Sequence, residues 1–262
     1  MQAGALYCGM PRSKLPAPGN LSDRVVAHLI DYTRRHRLKE GDAVPSEGTL
    51  SRELEVSRGV VREAYRSLKA AGVLDIANGR TPRVGRLNNQ AITQFLHHAL
   101  HTEQASAVHA LDVRQSLEVR AAELAALNRS DDAAAALTEA AAAMCASLTQ
   151  RRRFVDADVR FHEILGGATG NPLFELLGNA LREVLDVTIR AGFDSRRTRA
   201  ERARVAEIHV AIADAVTARS ATRARRTMLV HFREATAFVV DRAGRPQPSA
   251  PRRRRVTRSA KV

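Results

Sequence analysis

Apolar residues recur at helical spacing from Thr93 to about Val240 with few interruptions, and this pattern restricts most of the chain to helix. Aromatic residues make up only 4% of the sequence and tryptophan is absent, so the core has to be built from Ala, Leu, Val and Ile. We predict a mainly α fold whose C-terminal part is an all-helical domain. Its helices are expected at residues 93–102, 106–128, 131–149, 151–168, 172–192, 198–218 and 221–240.

Three further helices are predicted within residues 20–86. Ser22, Ser46 and Ser57 each stand where helical periodicity begins, and a serine side chain at that position accepts a hydrogen bond from a free backbone N–H of the first turn. The second of these helices is short, and a tight turn separates it from the third. This arrangement indicates a helix-turn-helix.

The periodicity changes after Gly72. Residues 73–76 and 83–84 have the composition of short strands, and Asn78-Gly79 between them favours a tight hairpin turn. Three helices followed by a two-stranded hairpin is the element order of a winged helix-turn-helix. We therefore predict such a DNA-binding domain at the N-terminal end.

The formal net charge is +14, and most of it lies at the two ends of the chain. Residues 1–19, predicted to be a flexible leader, carry +2, and residues 20–86 carry +4. Residues 87–242, which begin with a polar linker at 87–92, hold 20 basic and 19 acidic residues. Residues 243–262 carry +7 and are predicted to form a disordered basic tail. This distribution is expected if only part of the chain meets a polyanion such as DNA, although a solvated charged surface could give the same totals.

Other classes of protein are disfavoured by what the sequence lacks. No run approaches about 18 uncharged apolar residues, so we expect no membrane span. The N-terminal residues do not have the pattern of a secretory signal. Cys8 and Cys145 are the two cysteines and form no CxxC motif, which argues against a disulfide framework and fits the reducing cytoplasm.

The start of the third helix carries residues suited to a DNA major groove. Arg58 and Arg62 lie four residues apart and share a face of the helix, and a planar guanidinium group pairs with guanine O6 and N7 or with phosphate. Gly59 between them permits close approach to the nucleic acid, whereas a solvated helix face is the alternative explanation of these arginines. The hairpin tip could reach the neighbouring minor groove. The predicted DNA-contacting residues are Ser57, Arg58, Gly59, Arg62, Asn78 and Gly79.

A run of matches to one known pattern covers this segment: Pro45, Ser46, Glu47, Leu50, Val56, Ser57, Arg58, Val61, Arg62, Glu63, Ala64, Leu68, Gly72 and Val73. With these residues the chain resembles the DNA-binding domain of the GntR family of transcriptional regulators. The resemblance implies that Arg58, Arg62 and Gly79 contact operator DNA. One position departs from the pattern, because Gly48 stands where the family usually has an arginine. A usual contact to phosphate or base is therefore missing.

Four potential metal ligands lie on three predicted helices. Asp158 and His162 are one helical turn apart, and His209 and His231 each lie on a largely apolar face of a later helix. One carboxylate and three imidazoles form a reasonable ligand set for Zn²⁺, Ni²⁺ or Mn²⁺ and leave coordination positions open for an oxygen ligand. Taken singly, each histidine could instead be a core residue whose hydrogen bonds are satisfied within the protein.

Motifs in the C-terminal part of the chain resemble a second known domain. They are V-R-x-x-L-E at Val113, Arg114, Leu117 and Glu118, D-x-x-F-H at Asp158, Phe161 and His162, the G-N-P turn at Gly170 to Pro172, and the histidines His209 and His231. With these, residues 93–242 resemble the FCD effector and dimerisation domain of FadR-type GntR regulators, an antiparallel helical bundle. In metal-binding members an Asp and three His at these positions hold a divalent ion, and all four are present here.

A metal ion with open positions in a mostly apolar cavity can bind a carboxylate, so the expected effector is a small organic or sugar acid. Arg114 could complete carboxylate binding as a bidentate partner. An ion pair with Glu118, one helical turn later, explains Arg114 equally well.

These features predict a nucleoid-associated, sequence-specific transcriptional regulator that is not an enzyme. We expect a homodimer on a palindromic DNA operator, with one recognition helix per half-site, and the resemblance favours repression relieved by the effector. A metal-dependent hydrolase fused to a DNA-binding domain is the alternative, since an Asp/His₃ site can activate water, but no obvious general base accompanies the proposed ligands. The neutral C-terminal two-thirds argues against a nonspecific architectural DNA protein driven by the tail.

Overall fold

The computed structural model describes residues 20–77 and 79–243 and shows two compact units, divided between His101 and Thr102. The mainly α fold class is confirmed. Three sequence predictions lie outside the described residues: the flexible leader at 1–19, Asn78 of the hairpin turn, and residues 244–262 of the basic tail.

The described part of the N-terminal unit has the element order of a winged helix-turn-helix followed by one more helix. The elements are α1 (Leu21–Arg35), α2 (Glu47–Glu53), α3 (Arg58–Ala70), β1 (Leu74–Asp75), β2 (Arg83–Val84) and α4 (Gln90–His101).

Two of the three predicted helix caps are confirmed. Ser46 and Ser57 cap α2 and α3, and each Oγ accepts the backbone N–H three residues further on, at 3.1 and 3.3 Å. The prediction of Ser22 for α1 is wrong. The cap is Asn20, whose Oδ1 accepts the N–H of Asp23 at 2.8 Å, while Ser22 is buried in the first turn. Asparagine and serine cap helices about equally well, so residue type alone did not separate the two positions.

The core of this unit is formed by one face of each of the first three helices together with β1. The Tyr65 hydroxyl donates a hydrogen bond to the Pro45 carbonyl, which ties α3 to the residue just before α2. The opposite face of α3 is consequently left to solvent. The buried apolar side chains are Val25, Leu29, Val44, Leu50, Val61, Ala64, Tyr65, Leu68 and Leu74.

The wing is a short hairpin fixed to the end of α3. β1 and β2 pair antiparallel with Leu74 opposite Val84. Lys69 near the end of α3 donates a hydrogen bond at 2.8 Å to a backbone carbonyl just after β1. Gly85 passes so close to Gly72 that a Cβ at position 85 would come within 2.6 Å of the Gly72 carbonyl oxygen. Only glycine permits this close approach of the two backbone segments at the base of the wing.

The boundary between the units differs from the sequence prediction. Helix α4 begins at Gln90, inside the segment 87–92 predicted as a linker, and it groups with the N-terminal unit. The Asn88 side chain accepts the N–H of Gln90 at 3.1 Å, and the Asn89 carbonyl accepts that of Thr93 at 2.8 Å. The polar residues that suggested a linker therefore form the start of a helix, and the helical unit begins at Thr102 rather than at residue 93.

The C-terminal unit is all-helical in its described part, as predicted. Its helices are α5 (Ala107–Asn128), α6 (Asp131–Ala146), α7 (Arg151–Gly167), α8 (Pro172–Val184), α9 (Asp186–Ser195), α10 (Arg199–Thr217) and α11 (Ala221–Ala243). None of the described helices of the chain combines the length and apolar composition needed to cross a bilayer.

One predicted helix is two. The segment 172–192 is interrupted at Leu185, whose side chain is buried, so that α8 ends at Val184 and α9 starts at Asp186. Asp186 lies in the first turn of α9, where a negative charge is favourable, and pairs with Arg190 at 2.7 Å. The break directs α9 towards α7 and α11, and it thereby helps to form the cavity described below.

Helices α5, α7, α10 and α11 surround the functional cluster of the C-terminal unit. α5 packs along α11, α10 lies against α6 and α11, and α7 lies between α6 and α8. Alanine is frequent at these contacts, as at Ala122, Ala125 and Ala213, and its small side chain lets neighbouring helices approach closely. Phe161 and Phe232 fill the remaining space and are fully buried.

Candidate functional site

The exposed face of α3 carries the arginines predicted to contact DNA. Arg58, Gly59 and Arg62 are all exposed, while Val61 and Tyr65 on the opposite side are buried. Ser57 is exposed as well, and its Oγ accepts a backbone N–H as the helix cap. An arginine pair one helical turn apart on a solvent-facing recognition helix can enter a major groove.

Arg62 has a partner that the sequence pattern did not reveal. Its Nε lies 3.3 Å from Oε2 of Glu47 on α2, and the arginine side chain is 55% exposed. An ion pair this exposed contributes at most about 1 kcal/mol. The guanidinium group is therefore oriented by Glu47 and remains able to exchange that partner for a phosphate or a base.

The two glycines predicted to contact DNA, Gly59 and Gly79, differ in whether the backbone requires a glycine. Gly79 has a φ of +72°, a left-handed conformation that suits glycine in the tight turn of the wing. Gly59 is helical, and a Cβ there would meet only Ser57 Oγ, at 3.7 Å, so nothing within the described protein excludes a larger residue. Gly48 on α2 has no atom within 4 Å of a Cβ placed there, so an arginine at this position would fit.

The structure brings all four predicted metal ligands together. Asp158 and His162 on α7 meet His209 on α10 and His231 on α11. Asp158 Oδ1 lies 3.1 Å from Nε2 of His209 and 3.8 Å from Nε2 of His162, and the two Nε2 atoms are 3.3 Å apart. His231 places a ring nitrogen within 4.8 Å of those of the other two histidines. All four residues are buried.

Hydrogen bonds at the far side of two rings determine which nitrogen atoms face the centre. His209 Nδ1 lies 2.8 Å from the Val205 carbonyl oxygen, which can only accept, so this nitrogen carries the proton. His162 Nδ1 is in close contact with the carboxylate of Glu118, which favours the ring form that carries its proton on Nδ1. In the neutral rings both Nε2 atoms are then unprotonated, and they face each other and Asp158 without a hydrogen between them.

Such a group of acceptors is suited to a cation at its centre. Metal–nitrogen bonds of about 2.0–2.1 Å place neighbouring ligand atoms about 2.9–3.4 Å apart at octahedral or tetrahedral angles. The separations of 3.1 and 3.3 Å fall within this range, whereas the 3.8 Å between Asp158 Oδ1 and His162 Nε2 lies above it. The residues present therefore fit a divalent ion bound by Asp158, His162, His209 and His231.

A second layer of charged residues supports the ligands. Arg182 on α8 places Nη2 2.9 Å from Glu118 Oε1 and Nη1 3.3 Å from Asp158 Oδ2. Arg114 Nε lies 2.6 Å from the same Oε1 of Glu118. Glu118 thus holds two arginines and orients His162, and such outer partners set the direction and basicity of metal ligands. The sequence alone suggested Glu118 only as a partner of Arg114, and no local motif marked Arg182.

The electrostatics of the cluster keep two of its imidazoles, those of His162 and His231, neutral. Burial, together with the charge of Arg182, lowers the pKa of His162 to about 4, and burial holds the pKa of His231 well below its usual value. Burial raises the pKa values of Glu118 and Asp158, but the surrounding arginines and histidines outweigh it and hold both well below their usual range. At neutral pH Asp158, His162 and His231 are therefore in the deprotonated forms that bind metal.

An apolar cavity of about 90 Å³ opens beside this cluster. Arg114, Asp158 and His231 lie at its wall together with Arg196, a residue that the sequence motifs did not single out. The rest of the lining is largely apolar: Leu111, Phe154, Val155, Leu185, Ile189, Gly192, Phe193, Val205 and Ala235. Arg114 therefore both pairs with Glu118 and borders the cavity, so the two explanations of this residue are compatible.

Comparison with known proteins identifies the two domains of the chain and its family. The model for bacterial regulatory proteins of the gntR family matches residues 21–84, and the FCD domain model matches residues 109–234. The HTH-type transcriptional repressor NanR of Salmonella schwarzengrund (strain CVM19633) is 30% identical over 220 residues, covering 83% of this chain and 83% of that protein. The chain belongs to the GntR family. NanR of Salmonella typhi is similar to this GntR-family chain to the same extent.

A solved structure shows the same fold. Streptococcus agalactiae GntR has a TM-score of 0.61 and 22% sequence identity, covering 82% of this chain and 99% of that chain. The chain described here, as a member of the GntR family, is a DNA-binding transcriptional regulator with an FCD domain. Its relatives are transcriptional regulators rather than enzymes, so the hydrolase alternative is set aside.

Proposed function

We propose that this chain is a FadR-type homodimeric repressor that acts in the cytoplasm on a palindromic operator and responds to a small organic or sugar acid. The acid would bind beside a divalent ion, Zn²⁺, Ni²⁺ or Mn²⁺, in the FCD domain. The direction of regulation is supported by the Salmonella relatives, which are named as repressors.

On the DNA side, each protomer would insert α3 into one half-site. The exposed Arg58 and Arg62 supply groups that read guanine or bind phosphate, and the left-handed turn at Gly79 shapes the wing. In two-fold symmetric regulators of this architecture, half-site spacing follows from the geometry of the DNA. The proposed contacts are those of Ser57, Arg58, Gly59, Arg62, Asn78 and Gly79.

On the effector side, one observation carries the proposal: two unprotonated Nε2 atoms and one carboxylate oxygen converge at the end of an apolar cavity. Asp158, His162, His209 and His231 would hold the ion, which supplies a Lewis-acidic anchor for a carboxylate. Arg114 borders the same cavity and could bind the carboxylate as well.

For the effector to change operator affinity, the effector-bound and effector-free dimers must differ in structure. The effector would favour an arrangement of the dimer in which the separation of the two recognition helices no longer matches the half-sites. A regulatory coupling of about 1–3 kcal/mol corresponds to a change in operator affinity of about 5- to 150-fold.

Native mass spectrometry of the full-length protein tests the metal and the oligomeric state together. We expect a dimer with one divalent ion per chain in the wild type, loss of the ion in His162→Ala, and retention in the matched control His97→Ala, an exposed histidine outside the cluster. A wild-type protein that takes up no ion after exposure to Zn²⁺, Ni²⁺ and Mn²⁺ would refute the metal site. A monomer at micromolar concentration would refute the dimer.

Footprinting tests the DNA part independently. We expect a protected region with two-fold symmetry, lost in Arg58→Ala. An asymmetric footprint, or protection of random DNA to the same extent, would contradict the proposed operator.

A further inference from the structure

Arg196 is the residue at the cavity wall that the proposed function does not use. It follows α9, and its side chain is half-buried. Its Nη1 donates to the Gly192 carbonyl at 2.6 Å, and its Nη2 lies 3.4 Å from the Glu234 carbonyl. Both partners are backbone oxygens. Within 20–77 and 79–243, no carboxylate forms an ion pair with this guanidinium.

The other buried charges beside the cavity are already balanced. Arg114 and Arg182 are matched by the carboxylates of Glu118 and Asp158, with which they form close ion pairs. Arg196 therefore contributes a positive charge that no direct ion pair neutralises at this wall.

The position of Arg196 is fixed before any ligand binds. The hydrogen bond to Gly192 ties the guanidinium to the last turn of α9. Burial lowers the pKa of Arg196, although Glu234, Asp158 and Glu201 oppose this effect, so part of its hydration has been removed. A preorganised and partly dehydrated guanidinium binds an anion more strongly than one free in water.

The cavity is also small and mostly apolar. A volume of about 90 Å³ has room for roughly six to nine water-sized groups, which is the size of an acid with about six to nine non-hydrogen atoms. The apolar walls, which include Phe154, Ile189 and Phe193, suit a short hydrocarbon segment between charged ends.

We infer that the effector is a small dicarboxylic acid. One carboxylate would be bound by Arg114 and by the divalent ion that the Asp158–histidine cluster would hold, and the second carboxylate would be bound by Arg196. This inference rests on the proposed effector site and narrows its ligand from organic acids in general to short diacids. Arg196 would then determine specificity for a second anionic group.

The test compares acids of equal chain length that differ by one carboxylate. Propionate with malonate, butyrate with succinate, and valerate with glutarate are titrated by calorimetry into full-length, Zn²⁺-loaded protein. The variants are Arg196→Gln, Arg196→Lys and the matched control Arg197→Gln, which changes an exposed neighbouring arginine. Unfolding temperatures without ligand, together with monoacid affinity, show whether each variant keeps the site intact.

We expect the best diacid to bind wild-type protein about 10- to 100-fold more tightly than its monoacid, the gain of one hydrogen-bonded ion pair. Arg196→Gln should abolish this ratio, Arg196→Lys should keep part of it, and Arg197→Gln should leave it unchanged. Equal affinity for monoacid and diacid, or a ratio that survives in Arg196→Gln, overturns the inference and leaves the proposed effector site intact. If none of the six acids binds, the inference is overturned, and the proposed effector site is then tested with sugar acids.

Discussion

Mild acid should destabilise the metal-free protein through His162, with a magnitude that follows from the burial of this residue. In the folded protein its pKa is lowered to about 4, whereas the unfolded chain has the ordinary value of 6.5. The unfolded state therefore binds the proton first as the pH falls. The stabilisation is complete above about pH 6.5 and is lost progressively towards pH 4.

Between pH 7.5 and pH 5.0, this single group should lower the free energy of unfolding by about 2 kcal/mol. Buried carboxylates contribute little in this range, because their unfolded-state pKa values lie near 4. His231 and His28 also have lowered pKa values and add to the pH dependence of the whole protein.

The contribution of His162 can be isolated with His162→Asn. The asparagine amide can donate to Glu118 as His162 Nδ1 does, but it does not titrate, while His28 and His231 remain in both proteins. Urea unfolding followed by far-UV circular dichroism, in the presence of a chelator, gives the free energy of unfolding at each pH. Wild type should lose about 2 kcal/mol more than the variant on acidification. The same loss in both proteins, within about 0.5 kcal/mol, would refute the reasoning.

Three further predictions concern residues of both units. Glu118→Gln should weaken divalent metal binding about 10- to 100-fold in competition with a chromophoric chelator, because His162 loses its anionic partner; unchanged affinity would show that Glu118 does not tune the ligand. Gly48→Arg should tighten operator binding about tenfold and steepen the salt dependence of binding by about one ion. The control Gly48→Ala should stabilise α2 by about 1 kcal/mol without tightening operator binding. Equal operator affinity of the two variants would contradict the predicted arginine contact. Arg58→Ala should weaken operator binding by about 1–3 kcal/mol and relax preference at one base pair, and a uniform loss across sequences would instead indicate a phosphate contact.

Most features with local signals were predicted correctly from the sequence, although the cap of α1 is Asn20 rather than Ser22. Ser46 and Ser57 cap α2 and α3 as expected, because the capping hydrogen bond joins residues three apart in the chain. The interruption at Leu185 and the start of α4 at Gln90 were not predicted. The break buries an apolar side chain, and α4 starts among polar residues that also suit a linker, so neither leaves a distinctive pattern in the sequence.

The same division applies to the functional site. Asp158 and His162 are one turn apart on α7 and could be predicted as a pair, His209 and His231 stood out on largely apolar helix faces, and resemblance to a known domain supported all four as ligands. Arg182 is bonded to a carboxylate 24 residues away on another helix. Arg196 is fixed by carbonyls four and 38 residues away. Such partners are set by how the helices pack, and a single sequence does not contain that information in readable form.

The spread of the Asp158–histidine cluster over α7, α10 and α11 has a consequence during protein synthesis. The winged helix-turn-helix is complete in sequence by Val84, whereas the cluster needs His231, about 150 residues later. At translation rates of about 5–20 residues per second, that interval lasts roughly 7–30 s. A chain cut short by a premature stop in α10 or α11 would keep the elements of the DNA-binding unit but lack part of the proposed sensor. Truncating mutations towards the end of the gene are therefore expected to leave the elements of the winged helix-turn-helix in the product while removing its chemical control.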